Sequence, residues 1–153
     1  IEDGSIEILD FMRKPVKKSK RKTGKIPYYG ANGQTGTIDS FLFDETLLLI
    51  GEDGARWGEN EQTAMIITGK SWVNNHAHVL RVNNEKIRIE FLKAVVNYYD
   101  FSYLKSRPNG GKLLQSDLRR LEIPNMSISQ QDMLIRKIKR KNLKDLIVEE
   151  FSK

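Results

Sequence analysis

The chain of 153 residues contains no cysteine, which excludes disulfide bridges and thiolate metal sites and fits a reducing cytoplasm. It has only two histidines, His76 and His78, and no long apolar stretch. Runs such as Thr46–Ile50 and Met65–Ile67 fall far short of the roughly 18 apolar residues of a membrane span. No basic-then-apolar leader opens the chain, and the first residue is Ile, so a natural start lying upstream is expected.

What is present is a soluble composition, 39% hydrophobic and 30% charged, enough for one domain with a modest core plus one extended element. The net charge of +6 is mild, but its placement is uneven. Residues 13–25 carry Arg13, Lys14, Lys17, Lys18, Lys20, Arg21, Lys22 and Lys25 with no acid among them. Residues 133–144 carry Arg136, Lys137, Lys139, Arg140, Lys141 and Lys144, again without an acid. These two stretches hold 14 of the 26 basic residues, leaving the remainder acidic. Concentrated positive charge on an otherwise negative chain is the electrostatic footprint of a polyanion binder, set against the plain alternative of solvated loops and helix faces.

Residues 1–12 alternate loosely and suit a strand or a short helix, and Pro15 with the lysine run then imposes a loop. Ile26–Tyr29 reads as a strand running into Gly30-Ala31-Asn32-Gly33-Gln34-Thr35-Gly36, where the glycines and the Asn-Gly pair demand a tight turn. Alternation predicts a strand over Thr37–Phe43, a turn at Asp44-Glu45 and a buried strand at Leu47–Ile50. Two further strands, Ala64–Thr68 and Trp72–Val82, are predicted with Gly69-Lys70 as a hairpin turn between them. Phe91, Leu92, Val95, Val96, Tyr99 and Leu104 recur at helical spacing, predicting an amphipathic helix over about 90–105. A short helix N-capped by Ser116 and a short strand into Pro124 follow. Met133–Phe151 reads as one long polar helix whose apolar stripe is Leu134, Ile135, Ile138, Leu143, Leu146, Ile147 and Phe151, too thin to hold it alone.

Candidate chemistry is sparse. Ala64–Ser71 is a loosened phosphate-loop pattern, but Met65-Ile66-Ile67 favours strand over a glycine-rich cradle. On a strand His76 and His78 would share a face, yet no cysteine or nearby carboxylate joins them, which favours a hydrogen-bonding role over a metal site. Asp44, Glu52 and Asp53 are the carboxylates available to a Mg-dependent nuclease, kept as an alternative reading although a following Glu-x-Lys is missing. A protein-interaction module docking through the last helix is the other alternative. The richer inventory is one for bases and phosphates: Tyr29, Asn32, Gln34, Arg56, Trp57, Asn74 and Asn75 as base-facing groups, with Tyr28 and Trp57 equally suited to the core. Lys17, Lys18, Lys20, Arg21, Lys22 and Lys25 would hold phosphates and set register.

Four segments then become recognisable. Gly24–Gly33, Phe43-Asp44, Leu49–Ala55 and Trp72–Leu80 occur in the order and approximate spacing of the target recognition domain of type I restriction-modification specificity subunits, which the chain resembles over residues 6–135. The segment holding Leu113, Leu118, Ile123-Pro124 and Gln131 is similar to that domain's exit into its spacer helix. The resemblance implies an α+β fold, with a mixed-sheet recognition domain over 1–127 and a spacer or dimerisation helix over 128–153. It implies a cytoplasmic, non-catalytic subunit that binds double-stranded DNA and no cofactor or metal of its own. S-adenosylmethionine, ATP and Mg would belong to its partners, a DNA adenine methyltransferase subunit and a restriction and translocation subunit. The family usually carries two such units whose helices pair as a coiled coil. With one unit here, a fragment, a half-subunit forming a homodimer through the C-terminal helix, and a stand-alone relative all stay open.

Overall fold

A computed structural model describes residues 3–57, 61–108 and 110–152. Its centre is β5 (Leu47–Gly51), a five-residue run in which every side chain is buried. A strand apolar on both faces must be covered on both, and two different layers do so. The first sheet runs β1 (Ile6–Ile8), β8 (Ala77–Val82), β5 and β6 (Ala64–Ile67), all antiparallel. Leu48, Ile50 and Leu80 on one face pack with Phe91, Leu92 and Val96 of helix α1 (Ile89–Tyr98). Leu47, Leu49 and Val79 on the other face pack with Phe43 and Val73 of a second sheet.

That second sheet is mixed. Its order is β3 (Gly33–Ile38), β2 (Ile26–Gly30), β7 (Lys70–Val73) and β4 (Phe43–Asp44), with β2 and β7 parallel and the other pairs antiparallel. The mixed-sheet α+β expectation therefore holds, as three layers: helices, first sheet, second sheet.

Several local expectations are corrected. The region 1–12 contains both a strand, β1, and a single 3-10 turn at Asp10–Met12. The alternating 37–43 segment leaves its ladder after Ile38 and bends at Asp39-Ser40, and Asp44 lies in β4, with the bend at Glu45. Gly69 does turn, with φ of 79°, but no hairpin results: β6 belongs to the first sheet and β7 to the second. The predicted strand 72–82 is split into β7 and β8 because Asn74 Oδ1 accepts the His76 N–H at 2.8 Å, a local turn that competes with the ladder. The helix predicted to reach 105 stops at Tyr98. Asn97 turns its amide onto the Ala64 backbone, and Asp100 accepts the Ser102 N–H to open a separate 3-10 turn over Ser102–Ser106. Phe101 and Leu104 still reach the core, so the apolar spacing was read correctly as burial and wrongly as one helix.

The exit segment holds helix α2 (Gln115–Arg119), whose start is set by Asp117 accepting the Leu114 N–H at 2.8 Å, so Leu114 and not Ser116 is the cap. Among the described residues, 121–123 form no strand leading into Pro124. Helix α3 spans Ile128–Phe151, starting five residues before the Met133 expected. Ser127 caps it by accepting the Gln130 N–H, and Gln130 reaches back to the Ser127 N–H. The side chains of Leu143, Leu146 and Phe151 lie outside the described residues.

The first turns of α3 dock on α1. Gln131 is buried, accepting the Arg88 N–H at 2.9 Å and donating to the Met126 carbonyl at 2.9 Å, while Arg88 forks onto Asp132. Leu134 and Ile135 add apolar contact, and Lys139 pairs with Glu90. Removing the amide leaves two backbone groups unpaired, so Gln131→Ala is expected to cost about 1–3 kcal/mol in urea unfolding. An unchanged midpoint would show that α3 is held by other contacts.

Candidate nucleic-acid interface

Three turns meet at one end of the two sheets. Because β2 and β7 run parallel, the hairpin tip at Ala31-Asn32 and the turn over residues 74–76 leave on the same side. β5 ends opposite the start of β8, with Gly51 facing Ala77 in the register, which brings the turn over residues 52–55 beside them. Contacts lock the three together. Asn32 Nδ2 donates to the Gly54 carbonyl at 2.7 Å, Asn74 N–H to Tyr29 at 3.0 Å, and Glu52 N–H to His76 at 2.8 Å. Gly51 sits where a Cβ would lie 2.9 Å from the Ala31 carbonyl oxygen and 2.3 Å from Ala55 Cβ, so only glycine allows this approach.

Arg13 is the clamp beneath the edge. Its guanidinium pairs with Glu52 and donates to the Ala77 carbonyl at 2.9 Å. Arg13 thus belongs to the scaffold, although its basic run suggests a phosphate ligand. Next to it lies a buried ion pair. His78 Nδ1 faces Asp10 Oδ2 at 2.6 Å and His78 Nε2 faces the Leu113 carbonyl at 2.6 Å. Both neighbours are acceptors, so both ring nitrogens donate and the ring is an imidazolium. Burial drives the ring toward its neutral form, but the Asp10 hydrogen bond, the Leu113 carbonyl and the Asp10 charge outweigh it and raise the pKa above its ordinary value. Burial likewise opposes the Asp10 charge, and the bonds from His78 and the Val79 N–H overcome it, holding that carboxyl below its usual range.

The expected site residues divide into two groups. Asn32, Asn74 and Asn75 stand on the converged edge, Asn32 and Asn75 exposed and Asn74 half-buried with its oxygen committed to His76. Arg56 is exposed just beyond the 52–55 turn. Tyr29 is half-buried against the apolar layer between the sheets. Gln34 is exposed on β3, where it donates to the Gly36 carbonyl at 3.1 Å. The basic run forms the second group. It crosses the outer side of the second sheet, over the small cluster of Tyr28, Ile38 and Trp72. Trp72 Nε1 donates to the Lys14 carbonyl, and the Arg21 guanidinium lies 3.6 Å above the Tyr28 ring. Lys17, Lys18, Lys20, Lys22 and Lys25 are exposed along it.

Trp57 is a correction: at 4% exposure it belongs to the helix-side core, packed with residues such as Leu104 and Leu113, and cannot meet a base edge. The two histidines do not act as a pair either. His76 sits in the turn and His78 in β8, each with its own carboxylate. The nuclease alternative is also corrected, because Glu52 is paired with Arg13 and Asp53 with His76 rather than facing a shared metal position. Among the described residues no group of three His, Cys, Asp or Glu side chains could hold a metal ion.

Known proteins share this fold. The model of the type I restriction modification DNA specificity domain matches residues 6–142. The chain belongs to that family. A Haemophilus influenzae protein named as a type I restriction enzyme specificity subunit is 33% identical over 134 residues, covering 88% of this chain and 34% of the relative. The crystal structure of a type I restriction-modification S subunit from M. genitalium superposes with a TM-score of 0.61 at 16% identity, over 97% of this chain and 45% of that one. A chain from a structure describing assembly and conformational transition of the type I system gives 0.66 at 12% identity, over 97% and 38%. The specificity-domain chain thus spans about a third of the curated relative and under half of either structure. No described helix is long and apolar enough to cross a membrane.

Proposed function

We propose that this chain reads one half of a DNA target, as a target recognition domain over residues 1–127 followed by a spacer helix over 128–153, and performs no catalysis itself. The observation that carries this reading is the convergence of Asn32, Asn74 and Asn75 on one edge, with Arg56 exposed just beyond the adjoining turn, in a member of the DNA specificity family. Asn and Gln amides match adenine, and Arg matches guanine, in the major groove. The exposed lysines that cross the outer side of the second sheet hold the phosphate backbone and fix register without reading sequence.

In this reading the chain acts in the cytoplasm on double-stranded DNA. It directs a DNA adenine methyltransferase subunit and a restriction and translocation subunit, which supply S-adenosylmethionine, ATP and Mg chemistry. A second recognition unit, from a second copy or from further chain, joins through a coiled coil made by α3.

The test is methylation of a random-sequence duplex library by the chain assembled with a cognate adenine methyltransferase subunit, read by sequencing. Wild type yields a short adenine-containing motif. Asn32→Ala, Asn75→Ala and Arg56→Ala each relax it at separate positions, by about 1–3 kcal/mol of discrimination per lost paired contact. A demonstrably assembled complex that methylates without any motif overturns the reading.

A further inference from the structure

The turn between β7 and β8 presents one side chain that the base-reading inventory left out. We propose that His76, its ring oriented by Asp53, is a specificity-determining contact that accepts a hydrogen bond from the exocyclic amino group of an adenine or cytosine in the major groove. The proposal rests on the reading of the converged edge as the surface that meets DNA.

Asp53 Oδ1 lies 2.6 Å from His76 Nδ1. A carboxylate only accepts, so Nδ1 carries the proton of this bond, and an Nε2 without a proton is then a lone-pair acceptor. The side chain of His76 remains 50% exposed while Nδ1 is engaged, so the ring is held and its other edge is available. In the major groove the amino groups of adenine and cytosine are the donors that such an acceptor distinguishes from the carbonyls of thymine and guanine.

Holding the turns together is a poor explanation for the pair. The Glu52 N–H bond to the His76 carbonyl, and Arg13, which pairs with Glu52 and donates to the Ala77 carbonyl, already join these segments. An exposed hydrogen bond between two surface side chains adds little to such a frame. What it does supply is a ring whose tautomer and direction are set before DNA arrives, which reduces the ordering cost of binding. Asp53 is a positioning residue here. Its neighbours Asn75 and Asn32 stand on the same edge, so the imidazole would read a base adjacent to theirs.

The experiment is the same library measurement, with His76→Ala, His76→Gln and Asp53→Ala beside wild type, and a thermal melt of each. His76→Ala is expected to keep the motif except at one adenine or cytosine position, where preference falls about fivefold, the worth of one net hydrogen bond. Asp53→Ala lowers preference at that same position and no other, with the melting midpoint unchanged. His76→Gln presents both a donor and an acceptor, so it narrows discrimination between amino- and carbonyl-bearing bases there, and it carries the test if the alanine variant melts early. An unaltered motif, a loss uniform across all sequences, or a change confined to a guanine position overturns the assignment while leaving the DNA-reading function intact. A wild-type complex that shows no motif removes both.

Discussion

Asp10→Ala is expected to destabilise the chain by about 3–5 kcal/mol, a large share of the 5–15 kcal/mol that holds a domain of this size folded. Asp10 is 7% exposed and serves four partners: the His78 ring, the Val79 N–H, the Gln115 amide at 2.8 Å and the Arg13 guanidinium at 3.7 Å. Its removal leaves a buried imidazolium facing no anion and a β8 amide facing no acceptor. Asp10→Asn keeps an acceptor for Val79 and loses the charge, so it falls between wild type and alanine. Urea unfolding at pH 6 measures both. Equal midpoints for wild type and alanine would mean that Arg13, Gln115 and their neighbours hold the segment without the carboxylate.

The same pair sets a pH window. The folded-state pKa of His78 is raised above 6.5, so its contribution is complete below that value and is lost as pH climbs through the folded value. The pKa of Asp10 is lowered from 3.8, so its contribution is complete above 3.8 and is lost as pH falls through the folded value. Both are in full force between these limits, and stability should decline on the alkaline side earlier than carboxylate pairs alone predict. His78→Gln, which cannot titrate, should flatten that alkaline decline.

Neutralising Lys17, Lys18, Lys20, Lys22 and Lys25 together to Gln is expected to produce the largest change in DNA affinity. If each holds one phosphate, the slope of log affinity against log salt falls by about 4.5, since each contact contributes about 0.9. Between 50 and 200 mM salt that slope alone accounts for roughly a 500-fold change in binding. The base motif should stay the same, because these contacts position the duplex and do not read it. Titrations of the assembled complex at several salt concentrations decide the matter. An unchanged slope would assign the lysines to a solvated face.

The sequence disclosed the parts of the fold that depend on local chemistry. Leu47–Ile50 was legible as a buried strand because four consecutive apolar residues leave no solvent face, and the Asn32-Gly33 turn because Gly33 takes φ of 118°. Partner choice was hidden. Nothing in Ala64–Val73 says that β6 and β7 lie in different sheets, since the turn at Gly69 is the same for a hairpin and for a crossing. The helix end at Tyr98 was obscured because neither Gly nor Pro marks it, the work being done by Asn97 and Asp100 side chains.

For the site, the turn positions of Asn32, Asn74 and Asn75 were legible from residue type and glycine context. Trp57 was misplaced because an indole suits a base stack and a core equally well. Asp10 had a signal that went unread: a carboxylate set among Ile6, Ile8, Leu9 and Phe11 is costly there unless it is paired. The His76 and Asp53 pairing had none, since 23 residues separate two ordinary surface side chains that only the meeting of two turns brings into contact.

The order of strands along the chain carries a consequence for how the molecule forms. β5 and β6 of the first sheet are made between β4 and β7 of the second, and β8 follows last although it sits between β1 and β5. The parallel pairing of Tyr28 with Trp72 must wait for the whole stretch 29–71 to be made, and β1 waits for Val82. On the ribosome the second sheet lacks β7 and the first lacks β8 until the chain has passed Gly69, so a nascent chain stopped near that residue holds two incomplete sheets with open edges. Such late, non-local closure is slow and leaves those edges available to other chains. The interleaved strand order therefore leaves no half of the two sheets that can be kept, lost or exchanged by itself.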